Sequence, residues 1–125
     1  MARNKSKIKP NDLALSVIEG IREKKGSGIV TMNLGKIKNS ICDLYVICHG
    51  TSRTQVEAIA GGLEEYVRKN LGVKPWHSEG YDNAEWILID YFDVVVHVFQ
   101  KHVRDHYKLE DLWADAELKH YDTVE

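Results

Sequence analysis

The chain has 125 residues, 43% of them hydrophobic and 29% charged, with a formal net charge of −2 at pH 7. This length and composition indicate one soluble globular domain that buries roughly two-thirds of the surface of its unfolded chain. The slight negative charge argues against DNA as a partner and against any mainly electrostatic hold on nucleic acid, which needs a dense basic surface.

The ends of the chain and its cysteines bear on the compartment in which the protein works. The basic stretch at residues 1–9 is too short and polar for a secretion signal, and no apolar run approaches the roughly 18 residues of a membrane helix. We expect a flexible arm at residues 1–9, a domain at residues 10–121 and a tail at residues 122–125. Cys42 and Cys48 lie in an apolar, strand-like run, which indicates buried free thiols and a reducing cytoplasmic compartment. The lack of a long apolar run predicts no membrane partner.

A first helix and two strands are predicted in the first half of the chain. The helix begins at Asn11, because apolar residues then recur every three or four positions as far as Ile21. Asn11 or Asp12 is expected to cap its start. Residues 29–34 alternate between apolar and polar, as in a half-buried strand. Residues 44–48 are apolar on both faces, as in an inner strand that is covered on both sides.

The second predicted helix opens with a capping box. Ser52 and Gln55 have the S-x-x-Q spacing in which each side chain satisfies an otherwise unpaired backbone N–H. Its buried stripe consists of Val56, Ile59, Ala60, Leu63 and Val67. Gly72 is expected to end it. Because this helix separates the strand at residues 44–48 from the one at residues 86–89, a right-handed crossover and a parallel strand pair are expected.

The last third of the chain is predicted to contain a hairpin and a final helix. An irregular connection leads to strands at residues 86–89 and 94–99. The final helix covers residues 109–121, and its inward residues are Leu109, Leu112, Trp113 and Ala116. Trp76, like Trp113, is expected in the core. Together the elements predict an α/β (α+β mixed) fold, a single domain with a mixed β-sheet flanked by helices.

The hairpin presents two faces of different composition. With a two-residue loop, Trp86 would lie opposite His97. One face then carries Trp86, Leu88, Val95, His97 and Phe99, and the other carries the aliphatic residues Ile87, Ile89, Val94, Val96 and Val98. The first set has the aromatic-rich composition of a recognition surface. The alternative, that helices cover both faces and His97 is a hydrogen-bonded core residue, stays open on spacing alone.

Several spaced motifs resemble those of one family. "EWILIDYFDVVVHVFQKHVRDHYKLEDLW", residues 85–113, resembles the signature of the ribosomal silencing factor family, also called Iojap-like, with its E-W-x-L-x-D, V-V-V-H-V-F, R-x-x-Y and L-E-x-L-W elements. "CDLYVICHGTSRTQVEAIA", residues 42–60, is similar to the family's strand-to-helix segment, and "SEGY" before the hairpin also fits. The likeness runs from about Asp12 to Leu118, which is almost the whole domain.

This resemblance implies a fold related to the nucleotidyltransferase core and an activity that is binding rather than catalysis, without a cofactor. It implies a translation repressor that attaches to the large ribosomal subunit through that subunit's fourteenth protein, with adjacent rRNA as a further contact. Occupying that place sterically blocks joining of the small subunit. The resemblance also implies a homodimer when the protein is isolated.

Carried onto this chain, the resemblance and the hairpin pattern assign partner binding to the hairpin and the segment after it. The residues expected to form this docking surface are Trp86, Leu88, Asp90, Tyr91, Phe92, His97, Phe99, Lys101, Arg104 and Tyr107. Trp86 fits an anchor, whose truncation at an interface centre typically costs roughly 2–4 kcal/mol. Lys101 and Arg104 are expected at the rim, facing acidic groups or rRNA phosphate. Phe92 replaces the glycine common at this turn position, so either the turn differs or Phe92 accepts a strained φ.

Two alternative functions are compatible with the sequence. An assembly factor for the large subunit would use the same docking surface. A metal-dependent nucleotidyltransferase-like enzyme would bind phosphate at the helix start near Ser52 and Mg²⁺ through paired carboxylates. Asp90 and Asp93 flank a turn, however, and do not share a strand face. Since fold kinship does not confer catalysis, the protein is predicted not to be an enzyme, and no catalytic residue is assigned.

Two further constellations are set aside. His102 and His106 are four residues apart with His97 nearby, as in helical zinc sites, but no carboxylate or cysteine completes the ligand set. No metal site is therefore predicted. Cys48 and His49 are adjacent on a strand and point to opposite faces, so they do not form a nucleophile pair.

Overall fold

Six strands form one mixed sheet in the part of the chain that the structure, a computed structural model, describes, which is residues 8–35, 42–113 and 116–121. The strands are β1 (Ser27–Asn33), β2 (Leu44–Gly50), β3 (His77–Glu79), β4 (Trp86–Asp90), β5 (Val94–Gln100) and β6 (Glu117–Tyr121). Their order across the sheet is β3-β4-β5-β2-β1-β6. The helices are α1 (Pro10–Glu23), α2 (Arg53–Leu71) and α3 (Lys101–Tyr107), and a 3₁₀ turn at Leu109–Trp113 follows α3. This mixed sheet flanked by helices confirms the predicted fold class, while most of the predicted arm and the predicted tail, residues 1–7 and 122–125, lie outside the described residues.

Helix α1 begins at a proline rather than at the predicted cap. Pro10 occupies the first turn, Lys9 before it is extended, and no side chain caps the helix. Proline suits the first helical position because its φ is already helical and its missing N–H would have had no partner there. The predicted capping by Asn11 or Asp12 is therefore wrong. The apolar stripe is as predicted and packs into the core with α2.

Helix α2 confirms the predicted cap at its start and glycine at its end. The Ser52 hydroxyl accepts a hydrogen bond from the backbone N–H of Gln55 at 3.1 Å. The Gln55 side chain bends back, but its Oε1 accepts from the backbone N–H of Thr51 at 2.8 Å instead of from that of Ser52. Gly72 ends the helix in the left-handed conformation, at φ +69°, which glycine adopts without steric cost.

The parallel pair of strands exists, but its members differ from those predicted. Strand β2 pairs in parallel with β5, not with β4, the strand that the sequence places after the helix. Strand β4 instead runs antiparallel to β5. The physical reason is burial. Six of the seven β5 residues are buried, so β5 takes an inner position between β4 and β2.

The hairpin register differs from the prediction by two residues. Trp86 lies opposite Phe99, and Leu88 lies opposite His97. Asp90 lies opposite Val95, so four residues separate this pair where the prediction placed two, and Phe92 among them has φ +77°. Because side chains alternate with a period of two, a shift of two residues leaves every side chain on its predicted face.

Two separate apolar cores lie on the two faces of the sheet. The aliphatic hairpin face belongs to the larger core, which α1 and α2 cover and in which Ile87 and Ile89 are fully buried. The aromatic face belongs to the smaller core, together with Val103 of α3 and Leu109 of the 3₁₀ turn. In this smaller core Trp86 and Leu88 are only partly buried. The predicted division of the hairpin into two faces is therefore confirmed, and the two faces are covered unequally.

The C-terminal helix predicted at residues 109–121 is wrong. The chain forms α3 first, then the 3₁₀ turn, and then β6, which pairs antiparallel with β1. An unpaired strand edge offers a row of backbone donors and acceptors, and β6 satisfies those of β1. Leu109 is buried as expected, but Leu112 is exposed. The predicted inward placement of the Trp113 side chain lies outside what the structure describes.

The connection before the hairpin contains a short edge strand, β3, that the sequence pattern did not predict. All three of its residues are exposed, so it has no apolar alternation to detect. Trp76 just before it is 61% exposed, which contradicts the expectation that it lies in the core. Its ring instead stacks on that of Phe92, with centroids 5.0 Å apart.

Candidate docking surface

A cluster of rings lies on the sheet face opposite α1 and α2. We call Tyr45, Trp86, Leu88, His97 and Tyr107 the aromatic patch. Tyr45, Trp86 and Leu88 are half-buried, and Tyr107 is 54% exposed. Within the described chain, only α3 and the 3₁₀ turn add helical structure to this face. Helices therefore do not fully cover this face, but the other part of the alternative is confirmed, because His97 is buried and hydrogen-bonded to Trp86.

Trp86 is held in place on three sides before any partner arrives. Its indole Nε1–H donates to Nδ1 of His97 at 3.0 Å. Its ring lies against the rings of Phe99 and Tyr107, with centroids 4.9 and 5.1 Å apart. A side chain that is ordered in advance loses less entropy when a partner binds. Trp86 therefore has the size, partial exposure and rigidity of an interface anchor.

His97 is the polar centre of the aromatic patch and is only 3% exposed. Burial lowers its pKa from 6.5 to about 3, so the ring is neutral at physiological pH. Since Nδ1 accepts from Trp86, the hydrogen-bond network assigns the proton to Nε2. That Nε2 has no hydrogen-bond partner among the described residues. The ring also meets Tyr45 edge-on, with centroids 4.6 Å apart.

Phe99, which the sequence also assigned to the docking surface, lies beneath it. It is fully buried in the smaller core. Its ring supports Trp86 from below. Phe99 therefore supports the shape of the aromatic patch, and a partner could contact its ring directly only if the core opened.

Arg104 lies inside the protein rather than at the predicted rim. It is 9% exposed. Its Nη1 donates to the carbonyl of Gly28 at 2.7 Å and contacts Nδ1 of His49 at 2.9 Å, and its Nη2 pairs with Glu110 at 2.8 Å. Lys101, by contrast, is exposed at the start of α3 and pairs with Asp105 at 3.0 Å. Of the two basic residues, only Lys101 is available at the surface.

The hairpin tip is separate from the aromatic patch. Asp90 accepts from the backbone N–H of Phe92 at 2.8 Å, which stabilises the turn. Tyr91 is buried in the larger core, on the side that the helices cover, and burial raises the pKa of its hydroxyl. Phe92 is exposed beside Trp76. The structure thus divides the predicted surface residues between the patch, its buried support and a distinct tip.

The residues considered above as phosphate-binding, metal-binding or nucleophilic either have a structural role or do not form such a site. Ser52 caps α2, and His102 and His106 are exposed on α3. In residues 8–35, 42–113 and 116–121 there is no group of three His, Cys, Asp or Glu side chains that could hold a metal ion. Cys42 and Cys48 are buried and unpaired, as predicted, and burial raises their pKa to about 11 and about 12. None of the helices described here is long and apolar enough to cross a membrane.

Tyr45 and Trp76 are exposed or half-exposed aromatic residues that the sequence reasoning did not assign to a surface. Alternation places Tyr45 on the same face of its strand as Ile47, but the sequence does not show which face of the hairpin adjoins it. Tyr45 pairs with Val95 across the parallel strands, which places it beside the aromatic hairpin face. Trp76 carries no such signal, since it lies in an irregular connection.

Comparisons with known proteins agree with one another. A family model described as "Ribosomal silencing factor during starvation" matches residues 7–125. Curated proteins named ribosomal silencing factor are similar to this chain: one from Halalkalibacterium halodurans is 43% identical over 105 residues, covering 84% of this chain and 88% of that protein. Another, from Bacillus subtilis, is 41% identical over 100 residues, covering 80% and 83%. A chloroplastic Iojap protein from Arabidopsis thaliana is 33% identical over 72 residues, covering 58% of this chain and 29% of its own length.

Solved structures show the same fold. A crystal structure of a protein from Chromobacterium violaceum superposes with a TM-score of 0.81 at 32% identity, covering 94% of this chain and 95% of that one. A crystal structure from Bacillus halodurans superposes with a TM-score of 0.73 at 40% identity, covering 82% and 94%.

Proposed function

Because the chain belongs to the ribosomal silencing factor family, we propose that it represses translation by binding the large ribosomal subunit. In this proposal it docks on that subunit's fourteenth protein, with adjacent rRNA as a further contact, and so keeps the small subunit from joining. It acts by steric exclusion, without catalysis or a cofactor. The cytoplasmic location and the homodimer of the isolated protein belong to the same proposal and rest on family membership.

The proposed position of the docking surface rests on one observation, which is the pre-ordered Trp86 on the less covered face of the sheet. The opposite face is sealed by α1 and α2, so its apolar residues serve the core. On the aromatic face, the half-buried Trp86 and Leu88 and the exposed Tyr107 offer apolar area to a partner. Aromatic residues at the centre of an interface typically carry most of the binding free energy.

The surroundings of the aromatic patch fit a polar rim of mixed charge, since the exposed Lys101 of α3 pairs with Asp105. Helix α3 adds the exposed side chains of Lys101, His102 and His106, and Lys108 follows directly after Tyr107. Rim charges of this kind steer association and contribute less to affinity than the apolar centre. Weakening of docking by added salt should therefore be modest, about what a few ion contacts produce.

A sucrose-gradient experiment tests the proposed repression. Purified large and small subunits are mixed with increasing amounts of the protein and separated by sedimentation. We expect joined ribosomes to decrease and free subunits to increase, with the protein found in the large-subunit fractions. If the protein enters those fractions but joining is unchanged, repression by steric exclusion is wrong; if it does not enter them, docking itself is wrong.

A further inference from the structure

Arg104 is a buried cation that joins four separate elements. Its guanidinium reaches Gly28 on β1, His49 on β2 and Glu110 on the 3₁₀ turn, while its backbone belongs to α3. A buried charge is tolerated only when it is paired and hydrogen-bonded, and here both terminal nitrogens have partners. The single ammonium group of a lysine would not reproduce this planar, forked arrangement of N–H donors.

The chain leaves space for this guanidinium at Gly28. A Cβ on Gly28 would lie 2.6 Å from Nη1 of Arg104 and 2.7 Å from Cε1 of His49. Gly28 also has φ +60°, a conformation that other residues adopt at a cost. The backbone of β1 is irregular here, since its register with β2 shifts between Ser27 and Val30. The start of β1 is therefore shaped to bring a carbonyl oxygen onto Arg104.

The pKa shifts of Glu110 and His49, the two titratable partners of Arg104, match this arrangement. Burial by itself raises the pKa of Glu110, but the hydrogen bond from Arg104, a backbone hydrogen bond and the charge of Arg104 together lower it, so the net shift is downward. Burial, followed by the positive charge of Arg104, lowers the pKa of His49. A neutral His49 can accept from the guanidinium, whereas a protonated one would repel it.

Helix α3 depends on few other attachments. It has seven residues and no side-chain cap at its start, and only Val103 and Arg104 are buried. A helix this short is not stable without tertiary contacts. Tyr107 lies three residues after Arg104, on a neighbouring part of the same helix surface, and its ring contacts Trp86. The position of α3 therefore decides whether Tyr107 packs on Trp86.

We propose that Arg104 is a positioning residue for docking: by tying α3 to Gly28, His49 and Glu110, it holds Tyr107 against Trp86 and orders the aromatic patch. It does this without touching the partner. The inference rests on the proposed docking function and adds to it a buried determinant of affinity, in place of the rim contact that the sequence suggested. It also assigns Gly28 a role as the site that receives the guanidinium.

A double-mutant cycle on docking tests this inference. Dissociation constants for large subunits are measured by co-sedimentation for the wild type, Arg104→Met, Tyr107→Ala and the double variant. We expect each single variant to bind about tenfold more weakly, and the double variant to bind at most about twofold more weakly than Tyr107→Ala alone. Arg68→Met on α2, which removes an exposed arginine from the covered side, should bind as the wild type does.

Three tests separate positioning from loss of the fold. Arg104→Met combined with Glu110→Gln removes both charges, which limits the cost of an unpaired carboxylate, and should show the same weakening of docking. In ¹⁵N-labelled free protein, the Trp86 indole N–H resonance should move in the same direction for Arg104→Met and Tyr107→Ala. Arg104→Lys, which retains the charge but loses the forked arrangement of N–H donors, should weaken docking nearly as much as Arg104→Met.

The results that overturn the inference are distinct from those that overturn docking. If the effects of Arg104→Met and Tyr107→Ala multiply in the double variant, Arg104 does not act through Tyr107. If folded Arg104→Met binds as the wild type does, or its Trp86 resonance is unmoved, positioning is wrong although docking stands. If the wild type itself fails to bind large subunits, the proposed function fails instead.

Discussion

His97 shows how one side chain can be polar and still belong to an apolar surface. Its ring lies among Tyr45, Trp86 and Phe99, and its Nδ1 satisfies the indole N–H of a half-exposed tryptophan. A protonated imidazole could not accept that hydrogen bond. The neutral form is therefore a structural requirement of the aromatic patch, and burial enforces it by lowering the pKa to about 3.

Stability should fall as the pH decreases from about 6.5 towards 3. In that range an exposed histidine of the unfolded chain binds a proton while folded His97 does not, so acid favours unfolding. His97→Asn keeps an acceptor for Trp86 but does not titrate. We expect its free energy of unfolding to depend less steeply on pH, by up to about 1.4 kcal/mol per pH unit, in urea denaturation at several pH values.

The comparison between the variant and the wild type isolates His97, because His49 and the carboxyl groups titrate in both proteins. Equal slopes for the two proteins between pH 4 and 6 would mean that His97 is protonated in the folded state.

At the scale of elements, the sequence predicted the faces of the hairpin and the capped start of α2, but neither the start of α1 nor the C-terminal strand. Alternation placed the apolar side chains of β4 and β5 on their correct faces, and the S-x-x-Q spacing located the start of α2. It did not predict which strand pairs with β2, because pairing is decided by burial across the whole sheet. It also missed β6, whose strand conformation depends on the free edge of β1 rather than on its own pattern.

The candidate site, like the fold, could be predicted from the sequence only in part. Trp86 and His97 could be assigned to one face from the alternation alone. The burial of Arg104 could not, since a basic residue in a polar segment gives no sign of partners that lie 76, 55 and 6 residues away in sequence. Only the fold brings Gly28, His49 and Glu110 to one guanidinium.

Neighbouring residues of β4 should have separable effects. Ile89 is fully buried in the larger core, whereas Leu88 is half-buried in the aromatic patch. We expect Ile89→Ala to lower the free energy of unfolding by about 2–5 kcal/mol and to leave docking of the folded protein unchanged. Leu88→Ala should cost less stability and weaken docking. Urea denaturation and large-subunit co-sedimentation, applied to both variants, check this pair.

The opposite assignment, with folded Ile89→Ala losing docking and Leu88→Ala retaining it, would move the docking surface to the helix-covered face. Such a result would require α1 and α2 to separate from the sheet.

At the scale of the whole molecule, the two faces of one sheet have different roles. Helices α1 and α2 seal one face and form the larger apolar core together with the strands beneath them. The short α3 and the 3₁₀ turn cover the other face only in part and leave Trp86 partly exposed. A partly covered aromatic face on a well-packed scaffold combines a rigid surface with apolar area that a partner can bury.

The most direct test of this account is the affinity of Trp86→Ala for large ribosomal subunits. The variant is compared with the wild type and with Leu15→Ala, which removes an exposed apolar side chain from α1 on the opposite side. Circular dichroism first confirms that both variants are folded. We predict that Trp86→Ala binds about 30-fold or more weakly, as expected for loss of an interface anchor, while Leu15→Ala binds as the wild type does. Wild-type affinity in folded Trp86→Ala would contradict the assignment of the docking surface to the aromatic patch.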